Sequence, residues 1–357
     1  MDATEQRRKE NGKAEGGALT GQAPTGKRGK RLLVNLGLAA GTFVLCVAVF
    51  EVVLRCFGYG NLEIYEPDPA LYWKLKPNQN CYTKVDHKRV HINSLGTRGP
   101  EFQPEKPPGT YRILCLGDSR TFGWGLSESE TYSDRLRKLM QEKVGAGRTV
   151  EVINAGVNAW SFPQMLVYFR GTALKYKPDV VVLAEANLWT QFSEKNSPEF
   201  VKKFMSRVRL KNFLRHFAIY HYVVEVQLKD FYSRYRSKFI PVDPKQDTMF
   251  KEQQQNDPEA VFRSAIEAIC RVAQTNDMQP VLLYLPMLGD YDATTAAGVL
   301  KVKRELSQKL HVPLVDMTPD AKPLGKELYL DADPVHFNAR GNELVARRLL
   351  EAVKANP

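Results

Sequence analysis

Two short segments hold the residue types that could do chemistry together. In Arg112-Ile-Leu-Cys-Leu-Gly117-Asp118-Ser119-Arg120-Thr121-Phe122-Gly123 an apolar strand pattern runs straight into a serine and then into glycines. A buried strand aimed at a tight turn presents a hydroxyl at the edge of a sheet. The backbone N–H groups that follow are then free to face an acyl oxygen, which is what a nucleophile and part of an oxyanion hole need. A serine becomes a strong nucleophile only when a general base takes its proton and a carboxylate orients that base. Asp333-Pro334-Val335-His336, near the far end of the chain, supplies both just before a helical pattern. Among six histidines, His336 is the one with a carboxylate three residues before it at a helix entrance.

The expected chemistry is attack of Ser119 on an ester carbonyl, with His336 Nε2 taking the proton and Asp333 holding the other ring nitrogen. The developing oxyanion would meet the Ser119 backbone N–H, the Gly156 backbone N–H and the side-chain amide of Asn187. Gly156 suits that role because a residue without Cβ lets substrate approach the main chain. Asp118 is assigned to the hydrogen bonding of the turn and not to the triad. Plainer readings exist for each: Ser119 as a turn residue, Asn187 as a helix cap, Asp333 as a loop-shaping residue.

The elements needed to gather these residues are visible in the hydrophobic pattern. Apolar strands are expected at 112–116, 149–154, 179–186, 281–285 and 313–316, the third nearly continuous, as where both faces of a parallel sheet are covered. Helices are expected between them, at about 163–176, 259–273 and 296–310. Another follows Ser127-Glu128-Ser129-Glu130, which matches a capping box, and a last one follows Asn338 as N-cap. Strand and helix in alternation mean an α/β domain with a parallel sheet and its ligands at the carboxyl ends of the strands.

With these residues in hand, the sequence resembles the SGNH, or GDSL-type, hydrolase superfamily over about residues 111 to 354. Gly117-Asp118-Ser119 resembles its first block, Gly156 its second, Asn187 its third and Asp333-Pro334-Val335-His336 its last. The resemblance implies a flavodoxin-like three-layer α/β/α fold and serine esterase or acyl-transfer chemistry, without a metal or other cofactor. Two departures stand out. Glu185-Ala186-Asn187-Leu188 keeps only the asparagine of the family's Gly-x-Asn-Asp, and Arg120 replaces an apolar residue, which points to a more polar pocket mouth.

The net charge of +11 is unevenly placed: residues 1–31 carry +4 and residues 201–240 carry +8, which leaves −1 for the rest. The first 31 residues are polar and Gly-rich, as expected of a disordered tail. From Leu32 to Phe50 the chain is apolar apart from Asn35, Gly and Thr, long enough to cross a bilayer within a span expected over 32–54, and it is preceded by Lys27-Arg28-Gly29-Lys30-Arg31. A cleaved signal peptide is the rival, but no small-x-small site follows. The positive-inside rule leaves the tail in the cytoplasm and the rest outside it, periplasmic or at the cell surface. Residues 55–110 read as a small β-rich adaptor and 111–357 as the hydrolase-like domain, with a helical insertion at 188–257 expected to cap the site. In the adaptor, Arg98 is given a surface or capping role, and Cys56 and Cys81 are expected to stay unpaired.

Three functions compete. The first is a membrane-anchored serine esterase acting on O-acyl groups, acetyl among them. The second uses the same residues to transfer an acyl group to a cell-surface polysaccharide. The third is a non-catalytic binding module on the same fold. The expected partners are an acyl ester, including acylated carbohydrate, and the membrane through residues 32–54. Anionic lipid or polysaccharide is a further candidate for residues 201–240. Nucleic acid is excluded by the expected side of the membrane.

Overall fold

The computed structural model describes residues 25–83, 88–145, 147–184, 198–228, 258–289, 294–331 and 333–353. It divides into two compact units, Met1–Phe50 and Glu51–Pro357. Helix α1 (Thr25–Cys56) fills the described part of the first and runs into the second. Its stretch Gly29–Cys56 is long and apolar enough to cross a membrane. At 1.5 Å per residue its 28 residues span about 42 Å, and side chains such as Leu33, Phe43 and Leu45 stand exposed along it.

The second unit is organised on five parallel strands: β5 (Thr110–Gly117), β6 (Thr149–Gly156), β7 (Val180–Leu183), β8 (Gln279–Tyr284) and β9 (Leu314–Asp316), in the order β6-β5-β7-β8-β9. The first strand of this sheet therefore has its two successors on opposite sides. That reversal opens a crevice at the carboxyl end of β5, where open α/β sheets bind ligands.

Alternation along the strands divides the core into two layers. Leu114 and Leu116 face α4 (Phe162–Gly171), α7 (Pro258–Thr275) and α8 (Thr294–Leu310), meeting Met165, Phe169, Ile266, Ile269, Val302 and Leu306. Ile113 and Cys115 face α3 (Tyr132–Val144), α9 (Thr318–Leu324) and α10 (Ala339–Ala352), meeting Leu136, Met140, Ala321, Val345 and Leu349. The result is the expected three-layer α/β/α arrangement.

Local signals hold with two shifts. Ser127 and Glu130 do form a capping box, but around a 3₁₀ turn (Glu128–Glu130); Thr131 then caps α3, its hydroxyl accepting the Asp134 N–H at 3.3 Å. Helix α9 has no counterpart among the expected elements, because Pro319 and Pro323 read as breakers. Pro319 is tolerated in the first turn, where no N–H is required, and Pro323 falls near the end. Asn338 caps α10 as expected, accepting the Gly341 N–H at 3.1 Å.

Ahead of the sheet lie two antiparallel hairpins, β1 (Tyr65–Asp68) with β2 (Tyr72–Leu75) and β3 (Gln79–Tyr82) with β4 (Arg89–Ile92). They do not stand apart as an adaptor would. Leu71, Trp73, Leu75, Val90 and Ile92 share one hydrophobic cluster with Leu114, Phe162 and Met165, so packing is continuous across residue 110. All five cysteines are free, Cys56 and Cys81 included.

The described part of the insertion is α5 (Pro198–Leu214), α6 (Ala218–Tyr220) and a π-helical stretch, His221–Leu228. It seats on residues 60–65, with Leu62 N–H donating to Arg215 O and Gly60 N–H to His221 Nδ1. The rest of the expected cap, with residues 185–197 and 229–257, lies outside the described residues.

At the opposite end of the sheet from the crevice, Arg112 is fully buried. Its guanidinium donates to Glu151 Oε2 (2.7 Å) and to the carbonyls of Gln103, Pro104 and Tyr176, fixing the start of β5 to β6 and to the turn before β7. Truncation strands a carboxylate and the buried Tyr176 carbonyl, so Arg112→Ala is expected to lower unfolding stability by about 3–5 kcal/mol. Chemical denaturation of the purified chain measures it.

Candidate active site

The crevice is built from the end of β5. Gly117 there must lack a side chain, because a Cβ would overlap Thr121 Oγ1. Asp118 then caps α2 (Ser119–Phe122): its carboxylate accepts the Arg120 N–H at 2.9 Å, and its carbonyl accepts the N–H groups of Thr121 (3.1 Å) and Phe122 (2.9 Å). Gly123, at φ 87°, closes the turn in the left-handed region, its N–H returning to Ser119 O. Ser119 is thus the first residue of a helical turn, half-buried, and its own N–H takes no acceptor among the described residues.

From the other end of the chain, the loop before α10 brings the imidazole. Ser119 Oγ and His336 Nε2 are 2.8 Å apart, and His336 Nδ1 lies 2.8 Å from Asp333 Oδ2. Asp333 Oδ1 also accepts the N–H groups of Val335 (2.9 Å) and His336 (3.2 Å), which winds the loop around its own carboxylate. Leu330 N–H donates to His336 O and Leu288 N–H to Pro334 O, tying the loop to the chain on both sides. Burial alone would raise the Asp333 carboxyl, but its hydrogen bonds and the imidazole charge outweigh that and hold it below its ordinary value.

Of the sequence-expected residues, the structure brings Ser119, His336 and Asp333 into one hydrogen-bonded chain, and Asp118 caps the turn as expected. Gly156 requires correction. Its N–H donates to Asn154 Oδ1 at 3.1 Å, and a Cβ there would overlap the backbone of Thr121 and Phe122. The bare backbone serves the close approach of α2 to β6, not the approach of a substrate. Asn187 lies outside the described residues. Arg120 does not make a polar mouth: it folds back on Asp118 at 2.8 Å, with 12% of its side chain exposed.

Four residues of the site escaped sequence reasoning. Arg98 is buried, and its guanidinium donates to the carbonyls of Phe122 and Gly123 (both 2.7 Å) and Leu126 (2.6 Å) while lying 4.8 Å from the Phe122 ring centroid. Of the surface or capping role expected of it, the capping holds and the surface position does not: the guanidinium is buried. Burial lowers its pKa to about 10, which leaves it charged at neutral pH. Asn154 donates to Thr121 O (2.8 Å) and Ser133 Oγ (3.0 Å), joining α2 to α3. Its only sequence signal is an amide in an apolar strand. Trp124 stacks on His336 with centroids 5.9 Å apart and planes at 29°. Trp73 donates to Asn158 O at 3.0 Å, while Asn158 Nδ2 donates to Tyr65 Oη at 2.7 Å. Between them they hold the loop after β6, where Ala159 has φ 64°, a conformation that a non-glycine residue keeps only when its surroundings impose it. Among the described residues no three His, Cys, Asp or Glu side chains converge as a metal ion would require.

The model of the GDSL-like lipase/acylhydrolase family matches residues 115–344, a span that includes Ser119, Asp333 and His336. No curated protein matches the chain. Among solved structures, it is similar to a lipase/acylhydrolase from Enterococcus faecalis, with 18% identity, 68% of this chain and 94% of that one covered, and a TM-score of 0.43. It is also similar to a catalytic mutant of an acetylxylan esterase from Geobacillus stearothermophilus, with 14% identity, 69% and 97% covered, and a TM-score of 0.42.

Two outcomes are expected from this geometry. Arg98→Lys keeps a charge but loses the planar fork on three carbonyls, so the Ser119 turn should shift. Modification of Ser119 by a fluorophosphonate is expected to slow by about 100-fold, measured where the variant is still fully folded. The Asp333 carboxyl, lowered on folding, stabilises the native state above its unfolded value of about 3.9. That contribution disappears as pH falls through the lowered value. In Asp333→Asn the acid-side decline of the denaturation midpoint should therefore be shallower than in the unmodified chain.

Proposed function

The chain belongs to the GDSL-like lipase/acylhydrolase family, and from that membership we propose that it is a serine esterase of O-acyl groups working through Ser119, His336 and Asp333. The observation that carries this reading is the 2.8 Å contact of Ser119 Oγ with His336 Nε2, backed by the 2.8 Å contact of Nδ1 with Asp333. In the proposed reaction, the Ser119 oxygen bonds to the ester carbonyl carbon as its proton passes to His336 Nε2. Asp333 keeps the imidazole in the tautomer that can accept at Nε2 and stabilises the imidazolium that forms. The tetrahedral oxyanion is met by the Ser119 N–H, the free amide at the start of α2. Because the Gly156 N–H is already engaged by Asn154, the second proposed donor is the carboxamide of Asn187. Collapse returns the proton to the departing alcohol and leaves an acyl-serine. Water, deprotonated by His336, then releases the carboxylic acid and restores the hydroxyl.

The proposed place for this reaction is the outer face of a membrane. Support comes from α1, whose apolar stretch could serve as an anchor, and from the basic cluster Lys27 to Arg31 at its start, which by the positive-inside rule favours a cytoplasmic amino terminus. The proposed substrate is an acyl ester small enough to meet a half-buried serine, with acetyl esters, including those of carbohydrates, as the working class.

Hydrolysis of a chromogenic acetyl ester by the full chain in detergent tests the reading. Ser119→Ala is expected to lose activity by about 10⁴-fold or more and to lose fluorophosphonate labelling, with its unfolding midpoint unchanged. Equal hydrolysis by both proteins would end the proposal. Acyl transfer to an added glycan without release of free acid would replace hydrolysis by transfer through the same serine.

A further inference from the structure

Helix α5 turns large apolar side chains to solvent as well as to the protein. On the side it packs against the protein, Val208 meets the hydrophobic core and the hydrogen bonds are made by polar groups: Asn212 Oδ1 accepts the Tyr65 N–H at 3.2 Å, its Nδ2 donates to Tyr65 O, and the neighbouring Arg215 donates to Glu63 O at 2.8 Å with its guanidinium 5.1 Å from the Tyr65 ring centroid. The side it turns to solvent carries apolar groups too. Leu210 and Phe213 are each 61% exposed, and Phe217 is 41% exposed just beyond the helix, its ring edge-on to Phe213 at 5.3 Å. Their spacing of three and four residues puts them in one stripe. Exposed Arg207, Arg209 and Lys211 lie on its two flanks. An exposed apolar stripe bordered by cations, on a helix held to the protein largely by hydrogen bonds, is the pattern of helices that lie in a membrane interface.

A second observation concerns where this stripe is tethered. The Glu51 carboxylate accepts the N–H groups of Ala218 (2.9 Å) and Ile219 (3.0 Å), and Arg55 donates to His216 O at 2.6 Å. Glu51 and Arg55 belong to the last turns of α1, where its apolar stretch ends. Val52, Val53 and Phe57 beside them are exposed by 60%, 43% and 73%. The turn after α5 is therefore bonded to the level at which a spanning helix would leave the hydrocarbon and enter the headgroups.

We propose that α5 and the turn that follows it form a membrane-interface seat. Leu210, Phe213 and Phe217 enter the boundary between acyl chains and headgroups, and Arg207, Arg209 and Lys211 meet anionic lipid headgroups. The occupant is a lipid surface, because an anionic polysaccharide would answer the cations but leave the aromatic stripe in water. The proposal rests on the reading of α1 as a membrane span. Its consequence is that the Glu51–Pro357 unit is fixed against the bilayer by two attachments and not left to swing on one.

The test uses the full chain in vesicles of phosphatidylcholine and phosphatidylglycerol containing brominated acyl chains. Phe213→Trp places a reporter in the stripe, and Glu351→Trp places one on α10 as a control. The Phe213→Trp indole is expected to shift to the blue and to lose about half its emission to bromines near the headgroups, consistent with burial at the depth of interfacial helices. The Glu351→Trp indole should be unaffected, and quenching at position 213 should weaken without phosphatidylglycerol or in the triple variant Arg207→Glu, Arg209→Glu, Lys211→Glu. Retention of the protein after alkaline carbonate washing, with the position-213 indole unquenched, overturns the seat alone. Release by carbonate overturns the reading of α1 and the seat with it. A blue shift that appears only with added anionic polysaccharide, or only with rising protein concentration, overturns the lipid assignment in favour of a glycan or a second copy.

Discussion

Helix α2 touches the sheet backbone to backbone, and that closeness is the constraint on which the site depends. At Gly117 and Gly156, paired neighbours at the ends of β5 and β6, an added Cβ would collide with Thr121 or with the α2 main chain. A helical turn lying directly on two strand ends has little freedom to tilt, since close-packed interiors resist displacements smaller than a methyl group. The serine that opens this turn inherits that rigidity. Its oxygen can meet an imidazole from a loop 217 residues away because both are referred to the same sheet edge.

The carbonyls at the far end of the turn need donors once they are buried, and Arg98 supplies three from one guanidinium. A buried cation with backbone oxygens for partners is costly to desolvate, and its hydrogen bonds offset that cost only while the fork fits. Asn154 acts from the sheet side, joining Thr121, Ser133 and Gly156 through one amide. The imidazole is steadied differently, by a carboxylate that also winds its own loop and by the flat face of Trp124. Orientation of Ser119 and His336 therefore comes from separate clamps, each anchored to a different element.

Much of the scaffold was legible because parallel strands buried on both faces leave continuous apolar runs, and β5, β6, β8 and β9 lie close to where those runs predict them. Ser119, Asp333 and His336 could be read because each stands at a strand end or a helix entrance, where local pattern and chemistry coincide. Arg98 could not be, since nothing in Thr97-Arg98-Gly99 distinguishes a buried guanidinium from an exposed one. Only the fold brings the Phe122 and Gly123 carbonyls to it. Gly156 was read for the right property, the missing Cβ, but assigned the wrong neighbour, because a sequence does not say whether a substrate or the chain's own helix fills the space. The hairpins before β5 looked separable because they are rich in turns. Their apolar residues prove to complete the core that Leu114 and Phe162 begin.

The reach of the pre-sheet segment into the catalytic end bears on how this protein can be cut. A fragment opening at β5 would retain the whole stretch that identifies the family, residues 115–344, yet lack the arginine beneath the Ser119 turn and the indole of Trp73 that pins the Asn158 loop. Shortened versions prepared for crystallisation or assay would keep their motifs and forfeit their alignment unless the trimming stopped short of Gly60, leaving both hairpins in place. The length of chain that carries the signature and the length that must fold together to use it are different, and gene fusions or domain exchanges drawn along the signature alone would sever the working part.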